Sequence, residues 1–88
     1  MTPSVGWGVL HLFCAIPADS DREAIVSAVK ATEGDDHQVI TVAVLGHKAD
    51  IGFMALGPDL WRLRALQTEL QAAGLDVVDS YVSLTELS

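Results

Sequence analysis

The stretch Trp7-Gly8-Val9-Leu10-His11-Leu12-Phe13-Cys14-Ala15-Ile16 decides the fold class. It is rich in residues that favour strands, and Gly6 and Pro17 mark turns on either side. Both of its alternating sets are apolar. Leu10, Leu12, Cys14 and Ile16 fall on one face, and Trp7, Val9, His11, Phe13 and Ala15 on the other. A strand with one solvated face alternates apolar with polar residues. This one predicts a sheet that is covered on both sides.

Outward from that strand, Ser20 and Glu23 have the spacing of a capping box, and Ala24, Ile25, Ala28 and Val29 follow at helical intervals. The pattern predicts a helix from about Asp21 to Ala31, ending near Gly34-Asp35-Asp36, with Arg22, Ser27 and Lys30 on a solvated face. His37 to Leu45 reads as a second strand, stiffened by Val39, Ile40, Val42 and Val44. Gly46-His47-Lys48-Ala49 is a turn, and Asp50 to Leu56 a third strand, so the two form an antiparallel hairpin. Pro58 and Asp59 open a second helix whose leucines, Leu60, Leu63, Leu66 and Leu70, recur at spacings of three and four. Gly74 suits a left-handed helix end, with Leu75 folding back on Leu70. Asp76 to Thr85 is the last strand.

The order β-α-β-β-α-β is that of a ferredoxin-like α+β domain, with a four-stranded antiparallel sheet and two helices on one face. Residues 1–88 read as one such domain. The free face is too apolar for water, because strands one and two are apolar on both sides. It predicts packing on another sheet in the manner of a dimeric α+β barrel, the partner being a second domain or another copy.

Twelve acidic side chains against five basic ones give a net charge of −7. That balance repels a phosphate backbone, and no basic cluster offsets it, so nucleic acid is not an expected partner. The longest apolar run, Val5 to Ile16, is 12 residues and contains His11, too short for a span of about 20. Met1-Thr2-Pro3-Ser4 has no positive leader region, and the single cysteine has no partner for an internal disulfide. The expectation is a cytoplasmic protein without a membrane partner.

Residues capable of chemistry are few. His11, His37 and His47 do not pair at i, i+2 on a strand or i, i+4 on a helix, and no cysteine pair accompanies them. No metal site is expected. His11 reads as a hydrogen-bonded histidine in or beside the sheet–sheet interface. Cys14 shares a strand face with residues under the helices and reads as a buried, inert thiol. Gly6-Trp7-Gly8 precedes a strand and lacks a third glycine, so it is no dinucleotide fingerprint. The Gly46-His47-Lys48-Ala49-Asp50 segment suits a plain turn, or a contact to an anion or a neighbouring subunit. Trp61 reads as packing or an interface anchor.

Three segments carry a family likeness: Trp7 to Phe13, Val42 to Leu60 (with Gly46-His47-Lys48-Ala49-Asp50-Ile51-Gly52-Phe53 at its centre), and Asp79 to Ser88. Together they resemble the chlorite dismutase-like heme family, most nearly its bacterial coproheme decarboxylase branch. The likeness covers nearly the whole chain.

The resemblance implies a subunit of two ferredoxin-like repeats with packed sheets, assembled into homo-oligomeric rings, often pentamers. It implies a peroxide-dependent decarboxylation of two coproheme propionates that yields heme b. In the family the second repeat supplies the axial histidine. The segment before that repeat carries a Tyr-Pro-Met-Ser-Lys-type motif with a catalytic tyrosine, and a propionate-contacting tyrosine follows the Glu86-Leu87-Ser88 ending. All of these lie beyond this chain. No catalytic, cofactor-binding or metal residue is therefore carried over, and His11, His37 and His47 match no axial position. Heme or coproheme is the family's cofactor, held by the half that is absent here, and none is expected on this chain alone. The leading reading is the N-terminal structural half of such a protein. A stand-alone dimeric binding module is the alternative, and a small cofactor-free monooxygenase-like barrel a third.

Overall fold

A computed structural model describes residues 7–46 and 48–85. Burial along β1 (Trp7–Ala15) alternates residue by residue, as strand geometry demands. Leu10, Leu12 and Cys14 are buried, while Val9, His11 and Phe13 are only half-buried. β1 pairs antiparallel with β3 (Ile51–Gly57) on one side and β4 (Asp76–Thr85) on the other. β2 (Gln38–Ala43) pairs with β3, so the sheet order is β2-β3-β1-β4. With α1 (Arg22–Thr32) and α2 (Leu60–Ala72), the chain is a ferredoxin-like α+β fold.

The core lies between the helices and one face of the sheet. Leu10, Leu12, Cys14, Phe53 and Ala55 form its floor, and Ala28, Leu63, Leu66 and Leu70 descend on it from the helices. Removing this surface from water is the main stabilising contribution, at about 25 cal/mol per Å². Among the described residues, no helix is long and apolar enough to cross a membrane.

Several boundaries differ from the sequence reading for local reasons. Asp21, not Ser20, caps α1, its carboxylate accepting the Ala24 N–H at 3.1 Å. Ser20 instead donates its hydroxyl to the Pro17 carbonyl at 2.7 Å and fastens the connection from β1. Asp59 caps α2 by accepting the N–H groups of Trp61 and Arg62, which leaves Pro58 just outside the helix. The far end of α2 is as the sequence predicts. Gly74 has φ 103°, and the Leu75 and Gly74 N–H groups return to the Leu70 and Gln71 carbonyls at 3.2 and 3.0 Å, a Schellman closure.

β2 is shorter at both ends than the expected His37 to Leu45. His37 belongs to a two-residue turn in which Asp35 and Asp36 take φ of 48° and 66°, while Gly34 and His37 exchange backbone hydrogen bonds. At the other end Leu45 has left the ladder and is 95% exposed.

Arg62 of α2 holds the end of α1. Its guanidinium donates to the Thr32 and Glu33 carbonyls at 2.9 and 3.0 Å and to the Asp35 carboxylate at 3.0 Å. The last carbonyls of a helix have no intrahelical donor, and a cation is favoured there by the helix dipole.

Candidate functional site

The register places the residues of the free face in three rows across all four strands. Gln38, Leu56, Val9 and Ser83 form one; Ile40, Met54, His11 and Tyr81 the next; Val42, Gly52, Phe13 and Asp79 the third. No helix lies over these rows, because α1 and α2 both pack on the opposite face. Nine of the twelve positions are non-polar or aromatic, counting His11 and Tyr81 as rings. Ile40 is 44% exposed, Val42 51% and Tyr81 55%. Large apolar side chains off these rows are exposed as well, among them Leu45, Trp61, Val82 and Leu84, but the three rows form a contiguous apolar surface.

At the centre of the face, the His11 and Tyr81 rings stack with centroids 4.1 Å apart and planes 12° from parallel. The stack follows from their direct opposition on β1 and β4. It lets two polar-tipped side chains lie flat among aliphatic neighbours, so neither ring stands up from the face.

One end of the face is hollowed. Gly52 carries no side chain between Val42 and Phe13, and a Cβ there would stand 3.2 Å from Val42 and 3.6 Å from Phe13. Beside it the β1–β4 register slips: Phe13 opposes Asp79 but Cys14 opposes Val77, and Val78 bulges out, 50% exposed. Phe13, Val44, Leu45, Lys48 and Val78 enclose a depression of about 680 Å³. Lys48 is exposed at its rim, and the neighbouring His47, on which the expectation for that turn falls, lies outside the described residues. Met1 to Gly6 and Glu86-Leu87-Ser88, used in the sequence reading, also lie outside them.

The remaining chemical candidates are held apart. His37 is 5% exposed; its Nδ1–H donates to the Asp35 carbonyl at 2.8 Å and its Nε2 accepts the Asp59 N–H at 3.2 Å. Both ring nitrogens are occupied, so His37 is a structural joint between the α1–β2 turn and the start of α2. Sequence spacing gave no sign of that role. Cys14 is fully buried on the helix side, and burial, reinforced by the charge of Asp76, pushes its thiol up to about 11. It stays protonated and unreactive at neutral pH. Trp61 is 83% exposed at the start of α2, outside the core. No group of three or more metal-ligating side chains gathers among the described residues.

The residue missed in the sequence was Tyr81. Its partnership with His11 depends on the β1–β4 register, which the bulge at Val78 makes unreadable from strand lengths alone.

No family model matches the chain, and no curated protein matches it. Among solved structures, a C-terminal segment of the alpha subunit of aIF2 from Pyrococcus abyssi is similar to it, with 17% identity and a TM-score of 0.45. The similarity covers 100% of this chain and 53% of that one, so the chain spans about half the length of the structure it matches. A likeness this distant carries no function across.

Proposed function

We propose that the chain is the N-terminal structural and assembly half of a chlorite dismutase-like heme protein of the coproheme decarboxylase branch. Its open sheet face would receive the sheet of a second, heme-holding repeat. The observation that carries the reading is the three-row apolar face, which none of the described elements covers. The resemblance of Trp7 to Phe13, Val42 to Leu60 and Asp79 to Ser88 to that family supplies the identity of the partner sheet.

Among the described residues, the side chains able to ligate iron are not arranged to hold a heme. His37 has no free ring nitrogen, and the Cys14 thiol is sealed in the core. His11 lies flat on Tyr81, and no Lys or Arg stands in the three rows to meet a propionate. Arg62 is committed to the end of α1. The chain's part is accordingly to fold, to present the face and to assemble.

The test is to express the whole reading frame that contains residues 1–88 and titrate it with coproheme, followed by peroxide. The reading expects a second ferredoxin-like repeat after Ser88, a stoichiometric Soret shift and conversion to heme b. Residues 1–88 alone should give no such shift. A frame that ends at Ser88 and yields a heme-free homodimer joined through Ile40 and Val42 would replace it with the stand-alone module. A stoichiometric shift in the 88-residue chain, lost in His11→Ala, would place a heme site in this half.

A further inference from the structure

Among the buried side chains of the described residues, only His37 is of a type that ordinarily gains a proton between about pH 5 and 8. The sequence makes a niche for it: Gly57 faces the ring, and a Cβ there would overlap the imidazole. Within the niche the two ring nitrogens serve different segments. Nδ1–H donates to the Asp35 carbonyl of the α1–β2 turn, and Nε2 accepts the N–H of Asp59, the residue that caps α2. An N–H directed at Nε2 requires a lone pair there, so this geometry is specific for the neutral ring.

A proton taken up from solvent at Nε2 turns that acceptor into a donor. The Asp59 N–H then loses its partner and two N–H groups face each other, while the bond to the Asp35 carbonyl persists. The charged groups around the ring do not make good the loss. The Asp35 carboxylate is held by Arg62, and that of Asp59 accepts the Trp61 and Arg62 N–H groups. Glu33 and Asp36 are exposed, where water screens them. The described residues hold a single ion pair, Arg62 with Asp35, so no carboxylate among them stands within ion-pair distance of the ring. From β3 the ring meets Gly57, which carries no charge. On the α2 side the positive end of the helix dipole and the Arg62 guanidinium both oppose a further positive charge.

We infer that His37 is a pH-sensitive latch, whose protonation releases the α1–β2 turn from the start of α2. Gln38 follows it directly and opens both β2 and the first row of the open face, so release frees that edge of the face. The latch depends on the fold alone and on no occupant of the face. Its sign follows from the hydrogen bonds. The folded chain excludes a proton that the unfolded chain accepts near pH 6.5, so stability is full above about that pH and falls below it.

Urea unfolding from about pH 7.5 down to about 5.5, above the range in which ordinary carboxylates titrate, tests the inference. The folding constant should drop roughly fivefold to tenfold across that window. The drop should persist when His11 and His47 are both replaced by Gln, which leaves His37 as the sole histidine. It should vanish in His37→Gln, whose side-chain amide oxygen can still accept the Asp59 N–H. At the acid end the Asp59 amide should have lost its exchange protection while the Leu12 and Leu66 amides keep theirs. The ring 15N signals of the parent chain should show Nδ1 protonated and Nε2 bare at neutral pH, a readout that stands even where His37→Gln fails to fold. A flat profile, a drop that survives in His37→Gln or disappears with His11 and His47, or a proton on Nε2 at neutral pH would each overturn the inference.

Discussion

Gly57 and Gly8 pose the same steric question and should answer it differently. A Cβ at Gly57 would fall 2.1 Å from the His37 ring, and one at Gly8 would fall 2.1 Å from the tip of Leu60. The His37 ring is fixed at both nitrogens and buried, whereas Leu60 is 49% exposed and free to rotate. Gly57→Ala should therefore cost about 1–3 kcal/mol by overpacking, and Gly8→Ala distinctly less, as read from urea midpoints. Equal losses would mean that His37 is not held as described. Cys14 gives a prediction in pH. Its thiol is raised to about 11 from an ordinary 9, so the folded state keeps a proton that the unfolded state gives up. Stability from this group is full below pH 9 and is lost as pH rises toward 11. Thermal melts across that window should fall more steeply for the parent chain than for Cys14→Ala, and parallel slopes would contradict the assignment.

Among the elements, α2 is fixed by a leucine stripe and two well-formed ends. Leu63, Leu66 and Leu70 are all buried against the sheet, and Leu66→Ala should cost about 2–5 kcal/mol in a thermal or chemical melt. Arg62→Met keeps the length of the side chain but strips three acceptors of their donor, and should cost at least about 1–2 kcal/mol by loosening α1. An unchanged melt for Arg62→Met would show that water replaces the guanidinium without loss. The periodic features were legible in the sequence: the leucine spacing of α2 and the Gly74 end both stand in the structure, and β1 is buried on its helix face and half-buried on the other. Features that arise from tertiary partners were not. Asp21 takes the cap from Ser20 because Ser20 is engaged by Pro17, and His37 leaves β2 because Asp59 of a distant segment offers it an N–H. The outer part of Leu60 escapes burial although it fits the stripe, since it sits at the first turn over the side-chain-free Gly8.

At the scale of the molecule, the fold places two unlike surfaces back to back. The helix side closes a core around Leu12, Leu66 and Leu70, none of them more than 1% exposed. The opposite side presents Ile40, Met54 and Val42 around the His11–Tyr81 stack, with neither helix over them. Composition made this asymmetry visible in advance, because β1 and β2 carry apolar residues on both parities. What the face could pack against was not legible in the sequence, for shape and hydrophobicity are shared by many surfaces. Sedimentation velocity on the purified 88-residue chain, over a range of concentrations, tests the claim that this face is an interface most directly. The chain should associate in a concentration-dependent way, and replacing both Ile40 and Val42 by Lys should abolish that association. A single sharp species at 9.4 kDa for the unaltered chain, stable and free of aggregation at every concentration, would contradict it.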